Sequence, residues 1–118
     1  MSAFQPIQKR VFQFSLRIIK MIVFLPKNSA GFAISQQIMR SGTSIGANIA
    51  EAQDAASKAD FTHCMNIALK EARETDYWLR LITAAKLIPE AKMASLLAEI
   101  EELVKILRSS VKKLRNKN

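Results

Sequence analysis

The sequence predicts an all-α fold, an antiparallel up-down-up-down bundle of four helices. Three observations predict it. Apolar residues recur at alternating three- and four-residue spacings in four successive segments, as in helices that bury one stripe. Breaks separate the segments at Pro26 with the following KNSAG, at DAASKAD, and at Pro89. No segment sustains the period-two alternation of a strand. The 118 residues suit one domain, 1–118, with enough chain for a core without disulfide or metal staples. Helices are expected over 5–25, 30–54, 58–86 and 89–115.

The first helix carries Phe4, Ile7, Val11, Phe14, Ile18, Met21 and Leu25 on one stripe. It also carries a second row, Phe12, Leu16, Ile19 and Val23, which points about 140° away at 3.6 residues per turn. A helix packed on a single core needs one stripe, so the outer row predicts a homo-oligomer. The alternative is a distorted bundle that buries both rows. The second helix carries Ile34, Ile38, Ser41, Ile45, Asn48 and Ala52, with Ile49 beside them. Its Gly42 and Gly46 share a face, although each interior glycine costs about 1 kcal/mol against alanine. Close approach of another helix would offset that cost; a ligand approaching the backbone is the alternative. The third helix opens on a capping box, Ser57 with Asp60, and runs through Phe61, Cys64, Ala68, Ala72, Thr75, Leu79 and Ile82. The fourth starts at Pro89 and Glu90, which suit a first helical turn. Its stripe is Met93, Leu97, Ile100, Val104, Leu107, Val111 and Leu114, widened by Leu96, Leu103 and Ile106.

Formal charge is +8, and it is unevenly spread. Residues 1–50 hold Lys9, Arg10, Arg17, Lys20, Lys27 and Arg40 with no acid; residues 105–118 hold Lys105, Arg108, Lys112, Lys113, Arg115 and Lys117, again with no acid. In an up-down bundle the two chain ends share one pole. That puts Lys9 and Arg10 with Lys112, Lys113, Arg115 and Lys117 and makes them, with Arg17 and Lys20, the candidate nucleic-acid contacts. No aromatic platform for bases is evident, because Phe12 and Phe14 have packing roles, so backbone contact with little sequence preference is expected.

Catalysis is not expected. The chain has one histidine, His63, and one cysteine, Cys64. As helical neighbours they point about 100° apart and make no nucleophile–base pair. No phosphate loop, zinc spacing or cofactor motif is present in the sequence. The most apolar early stretch, LRIIKMIVFLP, contains Arg17 and Lys20 and is too short to span a bilayer. A lone thiol fits a reducing cytoplasm. One polar cluster stands out: Glu71 and Glu74 stand three apart on the third helix and Asn48 and Glu51 at the same spacing on the second, with Ser44 and either Arg73 or Arg40 able to join them. It would form either a buried network that fixes helix register or an exposed salt-bridged surface.

RSGTSIGANIAEA, followed by SKADFTHCMNIALKEARETDYWLRL, resembles the four-helix bundle family named for the 23S rRNA intervening-sequence protein. The matching residues are Arg40, Ser44, Ile45, Asn48, Ile49, Ala50 and Glu51, then Ala68 and Glu74, with FLPKNSAGFAISQQIMRSG matching the Pro break and second-helix entry. The similarity covers about residues 5–115; Ala52 and Gln53 depart from it. The resemblance implies a homopentamer, in agreement with the outer row on the first helix. It also implies kinship in fold with the accessory protein of diversity-generating retroelements, a basic pentamer that works with a reverse transcriptase and RNA. The family's name reflects reading frames within rRNA insertions and does not establish rRNA binding. The expected function is a non-enzymatic oligomeric module that contacts RNA, with a scaffold docking a reverse-transcriptase-like enzyme as the alternative. Membrane-surface binding through the first helix is a third reading.

Overall fold

The structure, a computed structural model, describes residues 4–116, with side chains described from Ile7 onward. Lys117 and the side chain of Phe4 lie outside the described residues. Four α-helices are present among the described residues: α1 Phe4–Met21, α2 Ser29–Gln53, α3 Lys58–Ala84 and α4 Glu90–Asn116, with a 3-10 turn Ile22–Phe24 after α1. There is no strand among the described residues. The helices pack as a bundle of 46 × 22 × 22 Å. α2 packs against both α1 and α3, α4 packs against α3, and α4 meets α1 only sparsely.

Local chemistry sets the helix ends. α1 was expected to reach residue 25 but stops at Met21. Pro26 drives Leu25 to extended backbone (φ −68°, ψ 146°), as the residue before a proline avoids the helical region. The last turn tightens, and Leu25 N–H donates to the Ile22 carbonyl at 3.1 Å. Asn28 caps α2 by accepting from Gly31 N–H at 2.9 Å. Ser57 caps α3 by accepting from Asp60 N–H at 3.1 Å. The reciprocal bond from Asp60 is not present among the described residues, because its side chain is one methylene shorter than the Glu or Gln of a full capping box. α3 ends at Ala84, two residues before its expected end, because Lys86 turns left-handed (φ 57°). Leu87 N–H donates to the Ile82 carbonyl and Lys86 N–H to the Thr83 carbonyl, at 3.1 and 3.0 Å. This is a Schellman closure with lysine where glycine is usual. Pro89 stands just outside α4, its carbonyl accepting from Lys92 N–H at 2.9 Å.

The inner stripe of α1, from Ile7 to Leu25, is buried, while Phe12, Leu16, Ile19 and Val23 are 65%, 39%, 43% and 69% exposed. The two rows therefore part as the sequence spacing requires, and burial of both rows inside one chain is not what occurs. On α4 the extra apolar residues Leu96 and Leu103 face inward and are buried, so this helix is widened toward the core.

The glycines divide by how closely they are approached. A Cβ at Gly42 would lie 3.0 and 3.1 Å from the branches of Ile18, so α1 and α2 meet closely there. A Cβ at Gly46 would make ordinary contacts, 3.4 Å to Ser15 and 3.6 Å to Val11. The tightest approach is at Gly31, where a Cβ would lie 1.7 Å from the Pro26 carbonyl oxygen. Inside the bundle, Thr75 Oγ1 stands 2.9 Å from Ser41 Oγ and 2.8 Å from the Glu71 carbonyl. The two hydroxyls satisfy each other in a fully buried position that joins α2 to α3.

Candidate nucleic-acid interface

Three groups of basic residues have different surroundings. The first bridges α1 and α4. Arg10 makes a two-pronged contact to Glu99, Nε to Oε2 at 3.0 Å and Nη2 to Oε1 at 2.7 Å, and a further ion pair to Glu102 at 2.9 Å. The hydrogen bond that Arg10 donates to Glu99 chiefly holds this guanidinium above its usual pKa. Arg17 Nη2 donates to Ser95 Oγ at 2.6 Å. Where the two backbones stay apart, these long side chains span the seam. Arg10 is level with Glu99 and Glu102, so Lys112 lies about 15 Å further along α4 at 1.5 Å per residue. Lys9, Lys20, Lys112 and Lys113 are exposed and make no ion pair with any described residue. Arg115 Nη2 donates to Asn66 Oδ1 at 3.4 Å.

The second group joins α2 to α3. Arg40 donates Nη1 to Glu71 Oε1 at 3.0 Å and Nη2 to Glu74, and Trp78 Nε1 donates to Glu74 at 3.0 Å. The Arg40 bond, then the Trp78 bond, hold the Glu74 carboxyl below its usual range. The Arg40 side chain is half exposed while Glu71 is largely covered, so the cluster is a clamp at the bundle surface and not a buried network. Ser44 and Asn48 do not enter it. Ser44 Oγ donates to the Arg40 carbonyl at 2.6 Å, and Asn48 Nδ2 to the Ser44 carbonyl at 2.8 Å. Glu51 is exposed. The buried polar link between these helices is instead Ser41–Thr75, two residues that the periodicity places on the stripes without pairing them.

The third group lines an open groove of about 720 Å³ between α3 and α4. Lys70, Arg73, Arg80, Arg108 and Arg115 contribute to it, with Leu69 and Val104 as its apolar lining. Of the two alternative cations for the polar cluster, Arg40 fills it and Arg73 belongs here, and Lys70, Arg80 and Arg108 were not expected as contacts. Their signal was available: cations at positions 70, 73 and 80, and at 108 and 115, recur at spacings of three and seven and share helix faces. Among the described residues no group of three His, Cys, Asp or Glu could hold a metal ion. No helix there is long and apolar enough to cross a membrane.

The family model of the 23S rRNA-intervening sequence protein matches residues 5–109. The chain belongs to that family. A crystal structure of a protein of unknown function from the S23 ribosomal protein family of Bacteroides thetaiotaomicron is similar to it. The two are 42% identical over 92% of this chain and 97% of that chain, with a TM-score of 0.84. No curated protein matches the chain. In this intervening-sequence family member, the motif residues Arg40 and Glu74, together with Glu71, tie α2 to α3. Ser44 and Asn48 bond their own helix.

Proposed function

We propose that this chain is a non-enzymatic, basic, self-associating bundle that contacts structured RNA. The observation that carries the reading is a surplus of exposed cations with no carboxylate beside them. No acid follows Glu102 or precedes Glu51 in the sequence, and Lys9, Lys20, Lys112 and Lys113 project into solvent. Such a surface attracts a phosphate backbone by counterion release and steers its approach. Helix direction supports an antiparallel up-down-up-down bundle. Arg10 pairs with Glu99 and Arg17 with Ser95, so position along α4 falls as position along α1 rises. The exposed row Phe12, Leu16, Ile19 and Val23 supports self-association, and the number five follows from the family resemblance.

The test combines light-scattering mass with RNA binding across a salt series. Wild type is expected to run well above the 13.2 kDa monomer, and Leu16→Glu with Ile19→Glu should return it to one subunit. RNA affinity should fall steeply with salt. A monomeric wild type would reject the assembly. Absence of RNA affinity at moderate salt would reject the RNA reading and direct attention to a protein partner such as a reverse-transcriptase-like enzyme.

A further inference from the structure

The α3–α4 groove differs from the rest of the basic surface in gathering cations from two helices along one concave trough. Two carboxylates line it, Glu74 and Asp76. Both are already engaged, Glu74 by Arg40 and Trp78, and Asp76 by Arg80 at 3.5 Å. Lys70, Arg73 and Arg108 are exposed and have no ion pair with any described residue, with Lys70 near enough to Glu74 to help hold its carboxyl low. Like charges gathered on two facing helices repel one another, and an anion brought from outside relieves that repulsion.

The shape says what kind of anion fits. Lys70 to Arg80 spans about 15 Å of helix, a length over which a duplex carries on the order of nine phosphate charges. A small phosphate ion would need donors converging on one point, whereas these are strung along an open trough. Most of the cations are arginines, whose planar forks suit phosphate oxygens. The apolar lining is confined to Leu69 and Val104, so an acidic peptide would find no pocket for side-chain anchors.

Resting on the RNA reading above, we infer that this groove seats the phosphodiester backbone of a structured RNA, with Lys70, Arg73 and Arg108 as its principal contacts. The α3–α4 face then carries most of the affinity, and the cations at the chain ends chiefly steer the RNA's approach.

The experiment uses the full chain and a fluorescein-labelled RNA hairpin. A groove variant carries Lys70→Gln, Arg73→Gln and Arg108→Gln; an end variant carries Lys112→Gln, Lys113→Gln and Lys117→Gln. Both remove the same charge, so any difference reads location. Circular dichroism melts confirm that both fold, as changes at exposed side chains should allow. The groove variant is expected to lose about tenfold or more in affinity and to flatten the salt slope by roughly two to three, near 0.9 for each phosphate no longer neutralised. The end variant should lose less than about threefold by the same counting. Equal losses, or a loss confined to the end variant, overturn the groove while the RNA reading stands. Displacement of the hairpin by polyglutamate as readily as by unlabelled RNA would overturn the identity of the ligand. A wild type that does not bind the hairpin overturns both readings together.

Discussion

The α1–α4 seam and the α3–α4 groove are both lined by arginines, yet they serve opposite ends. In the seam Arg10 meets Glu99 and Glu102, and the three side chains hold two loosely apposed helices together. In the groove Arg73 and Arg108 face a trough whose carboxylates are already engaged. The formal charge of +8 is blind to that difference. A basic total becomes a binding surface only where the fold withholds counter-charge, and it becomes structural where the fold supplies it.

The sharpest way to break this contrast is to reverse one charge in each region. Glu99→Lys should cost about 2 kcal/mol, because it removes a charged hydrogen-bond partner and sets a like charge beside a partly covered guanidinium. Arg108→Glu should change stability by less than about 0.5 kcal/mol, as a surface change away from packing usually does. Urea midpoints measure both, and equal costs would erase the distinction. Neutralising the cations asks the same question more gently. Arg10→Gln should cost about 1 kcal/mol, scaled down because the pair is part solvated, and Arg73→Gln should fall within about 0.5 kcal/mol of wild type.

Glu74 sharpens the comparison, because it lines the groove yet is tied like a seam residue. Its folded pKa is lowered, so its contribution is fully present above the ordinary carboxylate range and is lost as pH falls through the lowered value. Glu74→Gln should remove that part of the acid sensitivity, worth under about 1 kcal/mol because Arg40 is half exposed; melts across an acid pH series measure it. The smallest effect is in salt. Screening should relieve repulsion in the groove, so the variant neutral at Lys70, Arg73 and Arg108 should gain a few tenths of a kcal/mol less stability from added salt than wild type. Identical salt responses would show that the groove cations do not repel appreciably.

Much of the fold was legible because helices declare themselves locally. The stripe from Ile7 to Leu25, the cap at Ser57 and the outer row of α1 all follow from spacing or from single residue types. The pairing of charges was not legible. Arg10 and Glu99 are 89 residues apart, and only the register of α1 against α4 brings them together. Arg73 was legible in part: two residues from Glu71 and one from Glu74, it points away from the face they share, and the structure places it in the groove. Spacing singles out the pair Gly42 and Gly46, yet the tightest approach is at Gly31. Its need comes from the path of the chain after Pro26, which no periodicity encodes.

The approach of Gly42 to Ile18 has a consequence for how such a chain can change over generations. The missing methyl at one position and the branched side chain at the other occupy a shared space. The sizes of residues 18 and 42 are therefore physically linked. A larger residue at 42 asks Ile18 to give by a few tenths of an ångström, so homologues that kept the α1–α2 contact should show a size trade between these two sites.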